Sequence, residues 1–273
     1  MSDPPKPETV HAAAARCVAA CLPAEKVRAT QDAAAAFAND QLRAGTDLPA
    51  APIGMPGRPP RPQLVAARHL PQRGLGSTEG RAALVHAVAH IEFNAIDLAW
   101  DAVYRFRDMP EAFYADWVGV AADEARHFGM LSERLAELGC SYGDFDAHNG
   151  LWEMAVQTAE SCLERMALVP RVLEARGLDV TPGMIVRLRS VGDGRTADIL
   201  EIILREEVAH VAAGTRWFAW CCAQSGCDPE TTFADLISRY LPQGIKGPLN
   251  ETARFDAGFS RAELDHLQAL AAC

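Results

Sequence analysis

The sequence predicts an all-α fold in which four long helices form two antiparallel hairpins joined by a crossover. A lone glutamate followed 32 or 33 residues later by a Glu-x-x-His pair occurs once in each predicted hairpin. The turn-rich residues 140–150 separate the two hairpins and suit the crossover. Apolar residues recur three and four positions apart, the spacing of one helix face, in four segments: 78–107, 108–139, 151–176 and 197–222.

The bulk composition is that of a soluble protein. Of its 273 residues, 49% are hydrophobic and 23% are charged, and the net charge of −10 argues against broad non-specific binding to nucleic acid. The N-terminus lacks the basic region and apolar run of a signal peptide, and no uncharged apolar stretch approaches the ~18 residues of a membrane helix. Eight cysteines without the spacing of a disulfide framework favour a reduced, cytoplasmic protein.

Composition divides the chain into three predicted parts. Residues 1–79 hold two short helices and a proline-rich strap, 80–225 hold the four-helix bundle, and 226–273 form a C-terminal helical extension. The strap begins near residue 44, and its prolines exclude both a helix and a central strand. We therefore expect an extended segment laid across the bundle, with a mobile linker as the alternative.

The first predicted hairpin brings two glutamates to one level. Glu92 lies within an apolar stripe, where a lone carboxylate is costly to bury unless it is paired or binds a cation. Asp108, followed by Pro110 and Glu111, has the pattern of a helix N-cap. Because Asp108 is sixteen residues from Glu92 and sixteen from Glu124, both arms are about 24 Å long. The two carboxylates should therefore face each other.

The second predicted hairpin is less regular. Its first helix should run from about 151 to 176, with a kink at Pro170 and a stop at Gly177. Glu160, Glu164 and Glu174 are all candidates for its lone glutamate. Distance from the turn at 192–194 and the apolar face favour Glu174, with Glu160 and Glu164 left open.

The Glu-x-x-His pairs indicate metal ligands. Residues three apart share one helix face, so Glu124 with His127, and Glu207 with His210, can each grip one ion. Two lone glutamates and two such pairs on four facing helices form the ligand set of a carboxylate-bridged di-iron or di-manganese bundle. The predicted ligands are Glu92, Glu124, His127, Glu174, Glu207 and His210.

Other candidate groups have simpler interpretations. A third Glu-x-x-His pair, Glu263 and His266, begins a helix after Ser260, where a capping box explains the glutamate without a metal. His86 and His90 lie off the Glu92 face, which favours hydrogen bonding or packing over a separate zinc site.

Four sequence runs carry a family resemblance: 90–96 (HIEFNAI), 123–127 (DEARH), 165–179 (RMALVPRVLEARGLD) and 207–210 (EVAH). They resemble runs of the ferritin-like superfamily of di-metal carboxylate proteins, and more narrowly those of an uncharacterised bacterial branch of it. The resemblance covers nearly the whole chain and implies a ferritin-like four-helix bundle with a bridged di-iron site. It supplies no substrate.

The expected activity is that of a non-haem oxidoreductase. Two Fe ions, with Mn/Fe or Mn as alternatives, would activate O2 to oxidise or hydroxylate a small-molecule substrate. Glu124 and Glu207 would bridge the ions. In the C-terminal extension, Lys246, Asn250 and Arg254 are weak candidates for substrate binding, and the alternative is that they cap and solvate a loop.

The expected partners follow from this chemistry. An electron-donor protein and a homodimer are both compatible with it, nucleic acid is disfavoured with a tRNA substrate left open, and no membrane partner is expected. The alternatives to the oxidoreductase are a ferroxidase or iron-handling protein, and a metal-stabilised structural or binding protein without turnover.

Overall fold

The computed structural model describes residues 8–45 and 50–271, and within these ranges the chain is helical with no strand. Three features of the sequence analysis lie outside the described residues: the N-terminal segment that lacks a signal-peptide pattern, Pro49 of the strap, and Cys273. The helices are α1 Val10–Ala19, α2 Pro23–Ala38, α3 Thr78–Arg105, α4 Glu111–Glu137, α5 Gly150–Gln157, α6 Cys162–Leu168, α7 Ala175–Ser190, α8 Gly194–Ser225, α9 Pro229–Tyr240, α10 Glu251–Asp256 and α11 Arg261–Ala271.

The chain divides into two compact units, Met1–Val156 and Gln157–Cys273. The domain boundaries expected from composition, after residues 79 and 225, stay predictions.

The first unit is organised around the hairpin of α3 and α4. Ser77 is the N-cap of α3, and its hydroxyl accepts a hydrogen bond from the Gly80 amide. At the turn, the Tyr114 hydroxyl donates to the carbonyls of Phe106 and Arg107, which fixes the chain reversal. Helix α1 packs on α3 and α2 packs on α4. The all-helical hairpin is therefore confirmed for this unit.

The start of α4 differs from the sequence prediction. Its N-cap is Pro110 rather than Asp108, and no side chain caps the helix there. The turn is instead held by Tyr114, whose hydroxyl also accepts from the Met109 amide at 3.3 Å. Hydrogen bonds from a tyrosine near the start of α4 have replaced the N-cap that the sequence pattern indicated.

The proline-rich strap is extended, as its composition predicts. Between residue 50 and Ser77 the only helical element among the described residues is a short 3₁₀ turn, Ala67–His69. The Gly57 amide donates to the Val18 carbonyl at 2.8 Å, and a Cβ at Gly57 would lie 2.2 Å from the Ala19 carbonyl oxygen. Only glycine allows this close approach to the end of α1.

Helix α3 is long and apolar enough to cross a membrane by length and composition, and it is the one such helix in the described ranges. Most of it is buried, and it packs against α1 and α4. Helix α3 is therefore a core helix of the first unit.

The second unit corrects the prediction for the third long helix. The expected continuous helix from 151 to 176 is interrupted between α5 and α6, and the expected stop at Gly177 does not occur, because α7 continues to Ser190 with Pro182 inside it. Pro182 has no amide hydrogen, so it cannot donate a hydrogen bond to the carbonyl four residues earlier in the helix. The Asn250 side chain donates to that carbonyl, on Leu178, at 3.1 Å. A distant residue thus satisfies the acceptor that the local sequence leaves open.

The expected kink at Pro170 takes the form of a π-helical segment, Val169–Glu174, between α6 and α7. Helix α8 packs against α6, the π segment and α7. A Cβ at Gly214 of α8 would lie 2.4 Å from Cγ of Pro170, so the absence of a side chain at Gly214 allows the proline ring to pack there.

Candidate metal centre

Glu92, Glu124 and His127 form a compact buried cluster in the first unit. Their exposed fractions are 3%, 1% and 0%. The His127 Nδ1 atom lies 3.3 Å from Glu92 Oε2 and 3.4 Å from Glu124 Oε2. One potential ligand atom from each residue lies within 4.8 Å of the others. The cluster therefore offers two carboxylates and one imidazole to a single metal ion.

The hairpin geometry explains how these residues meet. Glu124 and His127 are three residues apart on α4 and share one face. Glu92 reaches the same level because α3 and α4 extend equally far from their connecting turn, as the sequence predicted. Phe93 and Phe128, the neighbours of Glu92 and His127, pack with their ring centroids 5.2 Å apart. Aromatic packing therefore joins α3 and α4 at the residues next to Glu92 and His127.

Burial shapes the protonation of this cluster. Burial, followed by the charge of Glu124, raises the pKa of Glu92. Burial lowers the pKa of His127, but hydrogen bonds to Glu124 and Glu92 outweigh it and raise that pKa well above its usual value. Without a metal, both shifts favour the uptake of protons by the cluster, which lowers its negative charge. A divalent cation would supply the same positive charge, so these residues fit a metal ion.

The second unit holds the other three predicted ligands. Glu207 and His210 lie three residues apart on α8, with Glu207 Oε1 3.5 Å from His210 Nδ1. Glu207 Oε2 is buried and has no hydrogen-bond partner within the described ranges. Glu174 is the last residue of the π-helical segment and is 9% exposed. A buried carboxylate oxygen that lacks a donor also fits a bound cation.

Glu160 and Glu164, the alternatives to Glu174, have different surroundings. Glu160 is exposed, beside the interruption that precedes α6. Glu164 accepts hydrogen bonds from Arg239 and from the Tyr240 hydroxyl, at 3.1 and 2.7 Å. Neither environment is that of a buried carboxylate in need of a cation. The assignment of Glu174 nevertheless stays a prediction.

His86 and His90 anchor the turn-rich residues after α4. The imidazole of His90 contacts the Tyr142 hydroxyl at 2.8 Å and the His148 carbonyl at 3.1 Å. His86 Nε2 accepts from the Gly143 amide at 2.9 Å. These bonds agree with the hydrogen-bonding interpretation of the two histidines.

The capping box at Glu263 is confirmed. The Glu263 carboxylate accepts from the Ser260 amide at 2.9 Å, and the Ser260 hydroxyl accepts from the Glu263 amide at 3.2 Å. The third Glu-x-x-His pair is therefore explained by the start of a helix.

Two of the weak substrate candidates have structural contacts. Arg254 binds both carboxylate oxygens of Asp179 at 2.9 and 2.8 Å, and Asn250 caps α10 through the Ala253 amide. Lys246 is exposed. Substrate binding by these three residues stays a prediction.

A buried ion pair in the first unit was not foreseen. Lys26 on α2 pairs with Asp97 on α3, both side chains are fully buried, and Lys26 also donates to the carbonyls of Cys17 and Val18. The available signal was a second acidic residue, five positions after Glu92, within the apolar sequence of α3. Burial raises the pKa of Asp97 to about 6, and the adjacent Lys26 opposes that shift.

Comparison with known proteins places the chain in a family. An uncharacterized protein of Haemophilus influenzae is 47% identical over 214 residues, which cover 76% of this chain and 74% of that protein. No solved structure matches the chain. The model of the family described as "Protein of unknown function (DUF455)" matches residues 19–265. The chain therefore belongs to this family.

Proposed function

We propose that the chain is a non-haem di-metal oxidoreductase that uses O2 to oxidise or hydroxylate a small molecule. The observation that carries this proposal is the buried convergence of Glu92 and Glu124 on His127. A ferritin-like four-helix bundle, in which the second-unit ligands complete a dinuclear centre, belongs to the same proposal. The motif repeat supports it, because each unit contributes one lone glutamate and one Glu-x-x-His pair.

Each proposed ligand has a separate role. Glu124 and Glu207 would bridge two Fe ions, with Mn/Fe or Mn as alternatives, and His127 and His210 would each bind one ion. Glu92 and Glu174 would each add a terminal carboxylate. Bound in this way, two ferrous ions would supply the electrons that reduce O2. An unidentified donor, expected to be a protein, would restore those electrons after turnover.

The burial of the proposed ligands would keep the reaction away from bulk water. Glu92, Glu124 and His127 are almost inaccessible to water, and buried carboxylates favour a bound cation that offsets their negative charge. His127 would exchange its proton for a metal bond, so it serves as a ligand only in its neutral form. A cytoplasmic location and a homodimeric assembly remain part of the proposal.

Metal stoichiometry tests the assignment. Anaerobic loading with Fe(II) should give two ions per chain in the wild type and fewer in Glu124→Ala and Glu207→Ala. Glu133→Ala, which removes an exposed carboxylate from the same helix as Glu124, should retain both ions. Full retention in both ligand variants would refute the ligand set.

An O2 pulse on the loaded protein separates the alternatives. Uptake of O2 coupled to oxidation of an added organic substrate and an electron donor supports the oxidoreductase. Growth of ferric mineral with several ions oxidised per chain would instead identify iron handling. Retained iron without reaction would identify a structural metal.

A further inference from the structure

A buried arginine links the π-helical segment to the C-terminal region. Arg171 lies within this segment, is 1% exposed, and donates from Nη2 to Glu263 Oε2 at 2.7 Å. Its Nε donates to the Thr215 hydroxyl on α8 at 3.2 Å. Three aromatic rings lie around the guanidinium carbon of Arg171. The distances from this carbon to the ring centroids are 4.9 Å for Phe218, 4.3 Å for Phe233 and 4.4 Å for Phe259.

A second buried contact lies beyond Glu174 in the chain. Asp179 on α7 accepts two hydrogen bonds from Arg254, and both side chains are nearly inaccessible. The Asn250 amide also donates to Asp179, while the Asn250 side chain binds the Leu178 carbonyl. Residues 250–263, here called the C-terminal brace, therefore hold the chain on both sides of Glu174.

The π-helical register makes such support necessary. A π segment contains an additional residue relative to the α-helix, and each helical residue turns the chain by about 100°. Relaxation of Val169–Glu174 into a regular α-helix would therefore rotate the Glu174 side chain away from its present face. Such segments are rare, and the buried contacts of Arg171 and the packing of Pro170 on Gly214 hold this one in place.

We propose that the C-terminal brace acts through Arg171 and Glu263 to position Glu174 as a metal ligand. This inference rests on the proposed di-metal function. Arg171 and Glu263 are positioning residues, because they act on the segment that carries Glu174. The brace also gives the π-helical segment a specific role, which is to orient one carboxylate.

Anaerobic titration with Co(II) alone tests the proposal, with the d–d absorption of the bound ion as the readout. The double variant Arg171→Met/Glu263→Met removes the ion pair together, so that neither charge is left buried alone. Arg171→Lys keeps the positive charge but loses the planar guanidinium that joins Glu263, Thr215 and the aromatic rings. Both variants should bind the second Co(II) at least about tenfold more weakly, with an altered absorption spectrum, and the first normally.

The matched control breaks an exposed ion pair near the same contacts. Arg261 and Glu251 lie 2.9 Å apart with 59% and 41% of their side chains exposed. Arg261→Gln should leave both binding steps and the spectrum unchanged. Circular dichroism establishes that each variant is folded, and if the double variant unfolds, Arg171→Lys decides the result.

The outcomes distinguish this inference from the function on which it rests. Two Co(II) ions in the wild type and unaltered second-site binding in a folded brace variant would overturn the positioning role alone. Absence of Co(II) binding in the wild type would overturn the proposed function as well. A weaker second site in the brace variants but not in Arg261→Gln supports the inference.

Discussion

His127 Nδ1 lies 3.3 Å from Glu92 Oε2, so two side chains 35 residues apart in sequence share one buried contact. The contact joins the two helices of one hairpin at the level where their buried carboxylates meet. Without a metal, the contact is a hydrogen bond between two buried groups. With a metal, the same two side chains would become ligands, and their mutual contact would give way to bonds to the ion.

The effect of Glu92→Gln on the free energy of unfolding should depend on whether metal is bound. In the metal-free protein, where burial favours protonated Glu92, we expect the free energy of unfolding to change by less than about 1 kcal/mol or to rise. At a metal concentration of ~100 times Kd, the wild type should gain about 2.7 kcal/mol, and the variant should lose most of this gain. Urea unfolding with and without Mn(II) measures both effects. An equal gain in the variant would remove Glu92 from the ligand set.

Lys26→Met should be strongly destabilising, because it leaves Asp97 buried without its partner. The expected loss is about 3–5 kcal/mol in the free energy of unfolding. Adding Asp97→Leu should recover much of the loss but not all, since the carbonyls of Cys17 and Val18 still lose the hydrogen bonds from Lys26. Denaturant unfolding of the wild type, Lys26→Met, Asp97→Leu and the double variant forms a double-mutant cycle. Additive losses would show that the pair is not coupled.

Gly214→Ala should destabilise the second unit through overpacking. The new methyl group would lie 2.4 Å from the Pro170 ring, at a cost of about 1–3 kcal/mol. Pro170→Ala in the same chain should recover part of the loss by opening space. Gly177→Ala is the control, because nothing lies within 4 Å of its added Cβ, and it should stabilise α7 by about 0.5–1 kcal/mol. Thermal unfolding measures these effects, and equal changes in the Tm of Gly214→Ala and Gly177→Ala would contradict the prediction.

His86 should make stability fall as the pH is lowered from about 6.5 to about 4. Burial lowers its folded pKa from 6.5 to about 4, so in this interval the unfolded chain takes up a proton that the folded chain does not. The contribution of neutral His86 to the free energy of unfolding is complete above pH 6.5. Below that value it declines by about 1.4 kcal/mol per pH unit. His86→Phe should flatten the measured dependence relative to the wild type, whereas the exposed His69→Gln should not. Equal slopes in all three proteins would refute a buried neutral His86.

The sequence anticipated much of the first-unit cluster because the necessary information is local. Helix periodicity places Glu124 and His127 on one face, and equal arm lengths on either side of a short turn bring Glu92 opposite them. The capping box at Ser260 and Glu263 was readable for the same reason. Such patterns depend on the intrinsic geometry of helices and turns rather than on distant contacts.

The second unit was less predictable because distant side chains decide its local structure. Pro182 and Gly177 indicate a helix end when read locally, yet Asn250 satisfies the Leu178 carbonyl and α7 continues. The π-helical register at Glu174 likewise depends on packing against Gly214 and on the buried contacts of Arg171. Neither partner is recognisable from the sequence around Pro170.

The helical character of the chain and its repeated pattern of carboxylate and imidazole residues could be predicted from the sequence, because both follow from spacing along a helix. The pairing of buried polar groups could be learned only from the folded chain: Lys26 with Asp97, Arg171 with Glu263, and Arg254 with Asp179. A buried charge is tolerated only beside a suitable partner, and these partners lie between 71 and 92 residues apart in this chain.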